Sequence, residues 1–284
     1  MTGSNSTLNI LRKRLLCSLA GLLLACSFAA KAQQLELARH LAFASPAAVS
    51  IDRLGNFYFA DQRRTVYQFN AAGEPMQTYS PPISGTVSTI EARNGTKILL
   101  FYYDQQRLVF LDRFLRELST VNLANLAELG NGDLFGAATF SGDDQLWLYN
   151  ESNFTLSKID SRTYKPLVST PLNLLLNRQR FDVRFLREYQ NNLYLVEKNT
   201  GVLVFDNMGN YRKTLPFPGL DYVGFLGEEL YYLKDNQLHF FHLYNGAERQ
   251  VDLLPGNNYK NALVGEEFLY LFSEKGVDIF RFQK

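Results

Sequence analysis

Six times along the chain a short run of aromatic and aliphatic residues meets a polar turn and is followed by a second apolar run. The first runs cover residues 56–61, 99–104, 146–150, 193–197, 230–235 and 268–274; the second cover 66–69, 108–110, 156–159, 202–205, 238–241 and 277–280. Runs this short, rich in Tyr, Phe, Leu and Val and bounded by Asn, Asp and Gly, read as strands joined by hairpin turns. The turns centre on positions 61, 104, 150, 197, 235 and 274, so successive copies lie 38 to 47 residues apart. That period matches the roughly 40–50 residues of a four-stranded propeller blade. It predicts an all-β chain, a six-bladed β-propeller of four-stranded blades. A β-sandwich is the rival architecture, but it imposes no fixed period of this length.

Blade four is the most complete. Its inner strand is expected over 181–185, followed by strands over 193–196, 202–205 and 211–215, with Asn191-Asn192 and Asn207-Met208-Gly209-Asn210 in the turns. Pro216 and Pro218 end it, because proline cannot donate to a ladder. Strand counting then exposes a mismatch. The sixth repeat stops after its third strand at Lys284, while residues 34–41 precede the first repeat without a partner. If that segment pairs as the outer strand of the last blade, every blade has four strands and no edge is left open to aggregation.

In the first copy, Gly55-Asn56, Tyr58, Ala60-Asp61, the turn arginines Arg63 and Arg64, Phe69-Asn70 and the closing Gly73 follow the order of the NHL repeat. The chain therefore resembles six-bladed propellers of the NHL-like or TolB-like type, by motif in this blade, more loosely over 191–209, and by strand pattern elsewhere. The resemblance implies the fold. It does not choose between enzyme and binding module, since such propellers host both.

The first 32 residues differ in character from the rest. Arg12, Lys13 and Arg14 precede an apolar stretch over 15–28, and Ala30-Lys31-Ala32 forms an A-x-A site before Gln33. This is the pattern of a secretory signal, and the apolar stretch is short for a membrane span. Residues 1–32 are expected to be a signal peptide and 33–284 one propeller domain. Cleavage after Ala32 is favoured over the alternative in which Leu23-Leu24-Ala25-Cys26 acts as a lipobox and Cys26 becomes a lipid anchor. The expected location is the periplasm or the extracellular space, with no transmembrane helix in the mature form. Without these 32 residues the chain holds 25 basic and 28 acidic side chains. A mildly acidic surface of this kind argues against nucleic acid as a partner. Cys17 and Cys26, the two cysteines, both lie in the signal, so the mature domain offers neither disulfide nor thiol chemistry.

The turns between second and third strands share one face of the disc. They present Asp61, Arg63, Asp104, Glu151, Glu197, Asp235 and Glu274, the expected contact surface for a partner, although Asp and Asn also favour turns for purely local reasons. Arg184, in the cluster Arg178, Arg180, Arg184 and Arg187, is a candidate anion binder if it faces the channel. The simpler expectation pairs Arg184 and Arg187 with Asp182 and Glu188. His239 and His242 fall on opposite faces of one strand and cannot share a metal. Ser84-Gly85 and Ser141-Gly142 lack the nucleophile elbow of a hydrolase. Trp147 and the tyrosines read as packing between blades. No catalytic residue, metal or cofactor is expected. The combined reading is a monomeric, exported, non-catalytic scaffold for an envelope protein or small ligand. The alternative is a metal-dependent hydrolase or lyase built in the channel.

Overall fold

The computed structural model describes residues 35–282 apart from 63, 83–84, 131 and 254–256. Residues 1–32, expected to be a signal peptide, with Cys26 among them, and Arg63 and Ser84 thus lie outside the described residues. The chain begins with β1 (Leu35–Ala42) and then builds blade one from β2 (Ala47–Ile51), β3 (Phe57–Ala60), β4 (Val66–Phe69) and β5 (Pro75–Tyr79). Blade two is β6 (Thr89–Glu91), β7 (Lys97–Tyr102), β8 (Arg107–Asp112) and β9 (Glu117–Asn122). Blade three is β10 (Phe135–Phe140), β11 (Leu146–Asn150), β12 (Thr155–Ile159) and β13 (Pro166–Pro171). Blade four is β14 (Val183–Tyr189), β15 (Asn192–Glu197), β16 (Gly201–Asp206) and β17 (Tyr211–Leu215). Blade five is β18 (Gly224–Leu226), β19 (Glu229–Lys234), β20 (Gln237–His242) and β21 (Glu248–Asp252). Blade six is β22 (Asn261–Val264), β23 (Phe268–Ser273) and β24 (Gly276–Phe282), with β1 as its outer strand.

The apolar runs are continuous rather than alternating because each blade is packed on both faces. In β7, Ile98, Leu100 and Tyr102 pack against Tyr58, Ala60 and Val66 of blade one, while Leu99 and Phe101 pack against Phe135, Leu146 and Leu148 of blade three. The same division repeats around the ring, giving six buried clusters, one per junction, including that between blades six and one. At the last junction the Phe57 ring stands 4.4 Å from Tyr270, whose hydroxyl donates to Ala71 O at 2.9 Å. Burying an aromatic or aliphatic side chain of this size contributes about 1.5–3 kcal/mol, so these six clusters supply the main favourable term.

Closure follows the strand count. β1 runs antiparallel to β24 from Leu35 opposite Phe282 to Ala42 opposite Gly276, with a bulge between Leu37 and Arg39. Gly276 is required there. Its φ is 142°, and a Cβ would fall 1.9 Å from the Leu41 carbonyl oxygen. Arg39 ties the strand to blade one through Gly73 O at 2.7 Å, and His40 Nδ1 lies 2.6 Å from Asp278 Oδ1. The outer ladders of five blades are bulged, and the straight one, β21, carries Glu248, Arg249 and Asp252. Both devices blunt an open edge.

Two local differences from expectation have clear causes. The inner strand of blade four is Val183–Tyr189, shifted from 181–185, because Glu197 Oε1 takes the Asp182 N–H at 3.0 Å and holds that residue out of the ladder. Arg187 pairs with Glu91 rather than Glu188. Neighbouring side chains on a strand point to opposite faces, and Glu188 instead accepts from the Trp147 indole and the Ser141 hydroxyl, both at 2.7 Å.

Candidate functional site

Antiparallel strands place the turns at alternate ends. The turns between second and third strands share one face of the disc; those between first and second strands share the other. On the first face the acidic side chains are engaged one by one. Asp61 accepts from Thr65 N and the Tyr67 hydroxyl, Asp104 from Thr86 N, and Glu151 from the Tyr103 hydroxyl. Glu274 pairs with Lys260 at 2.7 Å, and Asp235 sits exposed in a left-handed turn with Asn236. Arg184 is paired with Asp182 at 2.6 Å and reaches Asp221 at 3.7 Å. These side chains stay distributed around the rim. Among the described residues no three His, Cys, Asp or Glu side chains converge as a metal cluster.

Glu197 is the exception in burial. Its fully buried carboxylate accepts from Asp182 N, Thr200 N and hydroxyl, Asn199 and Arg178. Burial alone would raise its pKa, but the bonds from Thr200, Asp182 and Asn199 and the Arg178 charge hold it below the ordinary glutamate value of 4.5. A depressed carboxylate contributes stability that is present above the ordinary value and is lost as pH falls through the folded one. Glu197→Gln is therefore expected to cost about 1.5–3 kcal/mol at neutral pH. The gap to wild type should narrow as pH falls below about 4.5 and vanish only below the depressed folded value. Urea unfolding at pH 7 and pH 3.5 checks this, and a gap that does not change with pH would refute it.

The opposite face carries two clefts. One, of about 420 Å³, lies between the first turns of blades one, five and six and includes Asp52, Leu54, Phe225 and Glu267. The second, of about 550 Å³, lies against blades two, three and four and includes Glu91, Ser141, Glu188 and Tyr189. Arg53 and Arg93 line both.

Behind the second cleft a polar network fills the space between inner strands. Glu91 on β6 meets Arg187 on β14 at 2.7 Å, both side chains almost fully buried, and Thr139 on β10 donates to the same carboxylate oxygen at 3.2 Å. The other Glu91 oxygen accepts from Arg93 N at 3.0 Å. Burial opposes the charge on Arg187, but Glu91 beside it holds the guanidinium above its ordinary pKa. Tyr222 and Tyr231 complete the plug, and burial raises the pKa of both hydroxyls. Gly224 makes room for Tyr231: a Cβ there would fall 2.1 Å from the ring. The Tyr231 hydroxyl then reaches blade six and accepts from Val264 N at 3.1 Å.

Sequence reasoning placed attention on the first face and missed Glu91, Arg93 and Arg53. One signal was available. Glu91 stands in an inner strand between Ile90 and Ala92, where a carboxylate needs a partner.

Strand order and closure define the class: a six-bladed β-propeller whose clefts open beside a filled centre. No protein-family model and no curated protein sequence matches the chain. Among solved structures it is similar to the β-propeller domain of Cps50 (Swd1) from Myceliophteria thermophila, at 12% identity and a TM-score of 0.60 over 88% of this chain and 100% of that one. It is similar to a catalytically inactive virginiamycin B lyase from Staphylococcus aureus, solved with quinupristin, at 10% identity and a TM-score of 0.62 over 88% and 100%. It is also similar to BamB from Moraxella catarrhalis, at 12% identity and a TM-score of 0.50 over 88% and 94%. At these identities the likeness is one of fold.

Proposed function

We propose that this protein is an exported, non-catalytic β-propeller that holds a protein or small ligand in the cell envelope, with the face carrying the two clefts as its binding surface. The observation that carries this reading is the filled centre. Glu91 is held by Arg187 Nε and the Thr139 hydroxyl where a channel enzyme would present reactive groups to substrate. His40, His239 and His242 lie on outer and third strands, away from the inner ring. The clefts remain as the concave surface, and Leu54, 82% exposed, stands at the rim of the first. Its position at the mouth of a concave surface, rather than its exposure, makes it the contact residue to test. Export is supported by the basic, apolar and A-x-A order of the first 32 residues. A six-bladed propeller of the NHL-like or TolB-like type is the finer family reading that blade one supports.

The test uses the full chain expressed with its own N-terminus. Intact mass of the exported protein should begin at Gln33; a diacylglycerol adduct on Cys26 would replace that with a lipid anchor. Leu54→Asp should reduce capture of the envelope partner about tenfold or more, whereas Asp61→Ala and Asp235→Ala on the other face should not. Loss of capture with the latter pair alone would move the surface. A stoichiometric metal that survives dialysis, with turnover of an ester, lactone or lyase substrate, would overturn the scaffold reading.

A further inference from the structure

Two guanidinium groups on the cleft face stand without an ion-pair partner among the described residues. Arg53 and Arg93 line both clefts, and among the described residues neither guanidinium has a carboxylate within ion-pair distance. The acids nearest to them are already engaged. Glu91 is held by Arg187 and Thr139; Glu188 by Trp147, Ser141 and Gly142 N; Asp52 by Leu54 N, Asn56 and the Tyr58 hydroxyl. Asp144, Glu266 and Glu267 are exposed, where water screens them.

Arg93 is half-buried, and its guanidinium carbon stands 4.2 Å over the Tyr189 ring. Stacking fixes the plane of the fork and leaves its N–H edge without a side-chain acceptor among the described residues. Burial, and then the like charges of Arg187 and Arg53, hold this guanidinium below its ordinary pKa, against the pull of Tyr189 and Glu91. Two arginines brought to one cleft, the deeper one preoriented and unneutralised, make a site for an incoming anion. The charge balance selects its class. With Glu188, whose partners Trp147, Ser141 and Gly142 N are all neutral, in the same cleft, a dianion meets repulsion that a monoanion largely avoids.

We propose that the cleft between blades two, three and four binds a carboxylate, with Arg93 taking it through its fork and Arg53 closing on it from the rim. This rests on the binding-module reading and names the ligand chemistry. The carboxylate belongs to a small acid or to a peptide.

Arginine Nε–Hε resonances of the ¹⁵N-labelled mature domain report the site directly, assigned through Arg93→Lys and Arg53→Lys. At constant ionic strength, sodium acetate should shift the Arg93 resonance saturably, acetamide should not, and inorganic phosphate should bind more weakly than acetate. Arg93→Gln should lower acetate affinity about tenfold or more. Arg53→Gln, at an exposed position that cannot endanger the fold, should lower it about threefold. Tighter binding of acetyl-triglycine than of its C-terminal amide and of acetate assigns a peptide ligand; equal binding of acetate and acetyl-triglycine assigns a small acid. Unsaturable shifts, phosphate binding tighter than acetate, or acetate affinity unchanged in both variants overturns the site. The two readings fail separately. A metal enzyme that still binds acetate through Arg93 sinks only the scaffold; an envelope partner retained undiminished by Arg53→Gln and Arg93→Gln sinks only the carboxylate site.

Discussion

Arg187→Met is expected to lower the unfolding free energy by about 3–5 kcal/mol, the cost of leaving a buried partner unpaired. Glu91 would keep the Thr139 hydroxyl and the Arg93 N–H but lose its counter-charge, with both ion-pair side chains at 5% exposure or less. For a domain of this size that corresponds to a fall in Tm of roughly 10 °C. The double variant Glu91→Leu with Arg187→Met should recover most of the loss, because desolvating two charges roughly offsets their attraction and an apolar pair avoids both. Urea unfolding of the four proteins forms the cycle. A single variant within about 1 kcal/mol of wild type would mean that water reaches the pair, and the centre of the ring would then be an open channel.

Removing residues 35–42 should be nearly as damaging and should differ in kind. Blade six would lose its outer strand, and β24 would expose a seven-residue edge with no bulge or covering segment of its own. The expected result is a Tm lower by about 10 °C or more, together with concentration-dependent aggregation visible by light scattering. Gly276→Ala tests the same closure by a single methyl group. At φ 142° and 1.9 Å from Leu41 O, the new Cβ meets backbone that cannot rotate away, so about 2 kcal/mol or more is expected. A truncated protein that melts with wild type and stays monodisperse would rule out the N-terminal strand as the lock of the ring.

Both expectations bear on function. The clefts are formed by first turns from several blades, so a ring that opens at the junction of blades six and one separates Arg53 from the walls contributed by Gly227 and Glu267. Binding by the cleft face and thermal stability should fall together in closure variants and separately in Arg53→Gln, which touches no junction core.

The repeat was legible because its cause is local. Every strand of a blade is packed on both sides, so the second strands read as unbroken apolar runs such as Leu99 to Tyr102, and each ends in a turn with its own Asp, Asn or Glu. The turns after third strands are equally local. Asn70, Asp112, Asp160 and Asp206 each accept a backbone N–H two to four residues on. Counting these signals also supplied the closure, because an odd strand at one end and a missing strand at the other balance only if they pair.

What the strand pattern could not carry was the partner of Arg187 and the face that holds the clefts. Glu91 lies 96 residues away, and it becomes a neighbour only when blade three sets the spacing between blades two and four. Glu188, next in the chain, is excluded by the alternation of side chains across a strand. Arg184 and Arg187, three residues apart, end in opposite circumstances, one exposed beside Asp182 and one buried against Glu91. The number of blades, their strands and the manner of closure can be read from the chain, since each depends on short-range periodicity. Which guanidinium groups find a carboxylate and which stand unpaired emerges only in the folded ring, since that depends on how six separate turns meet around one axis.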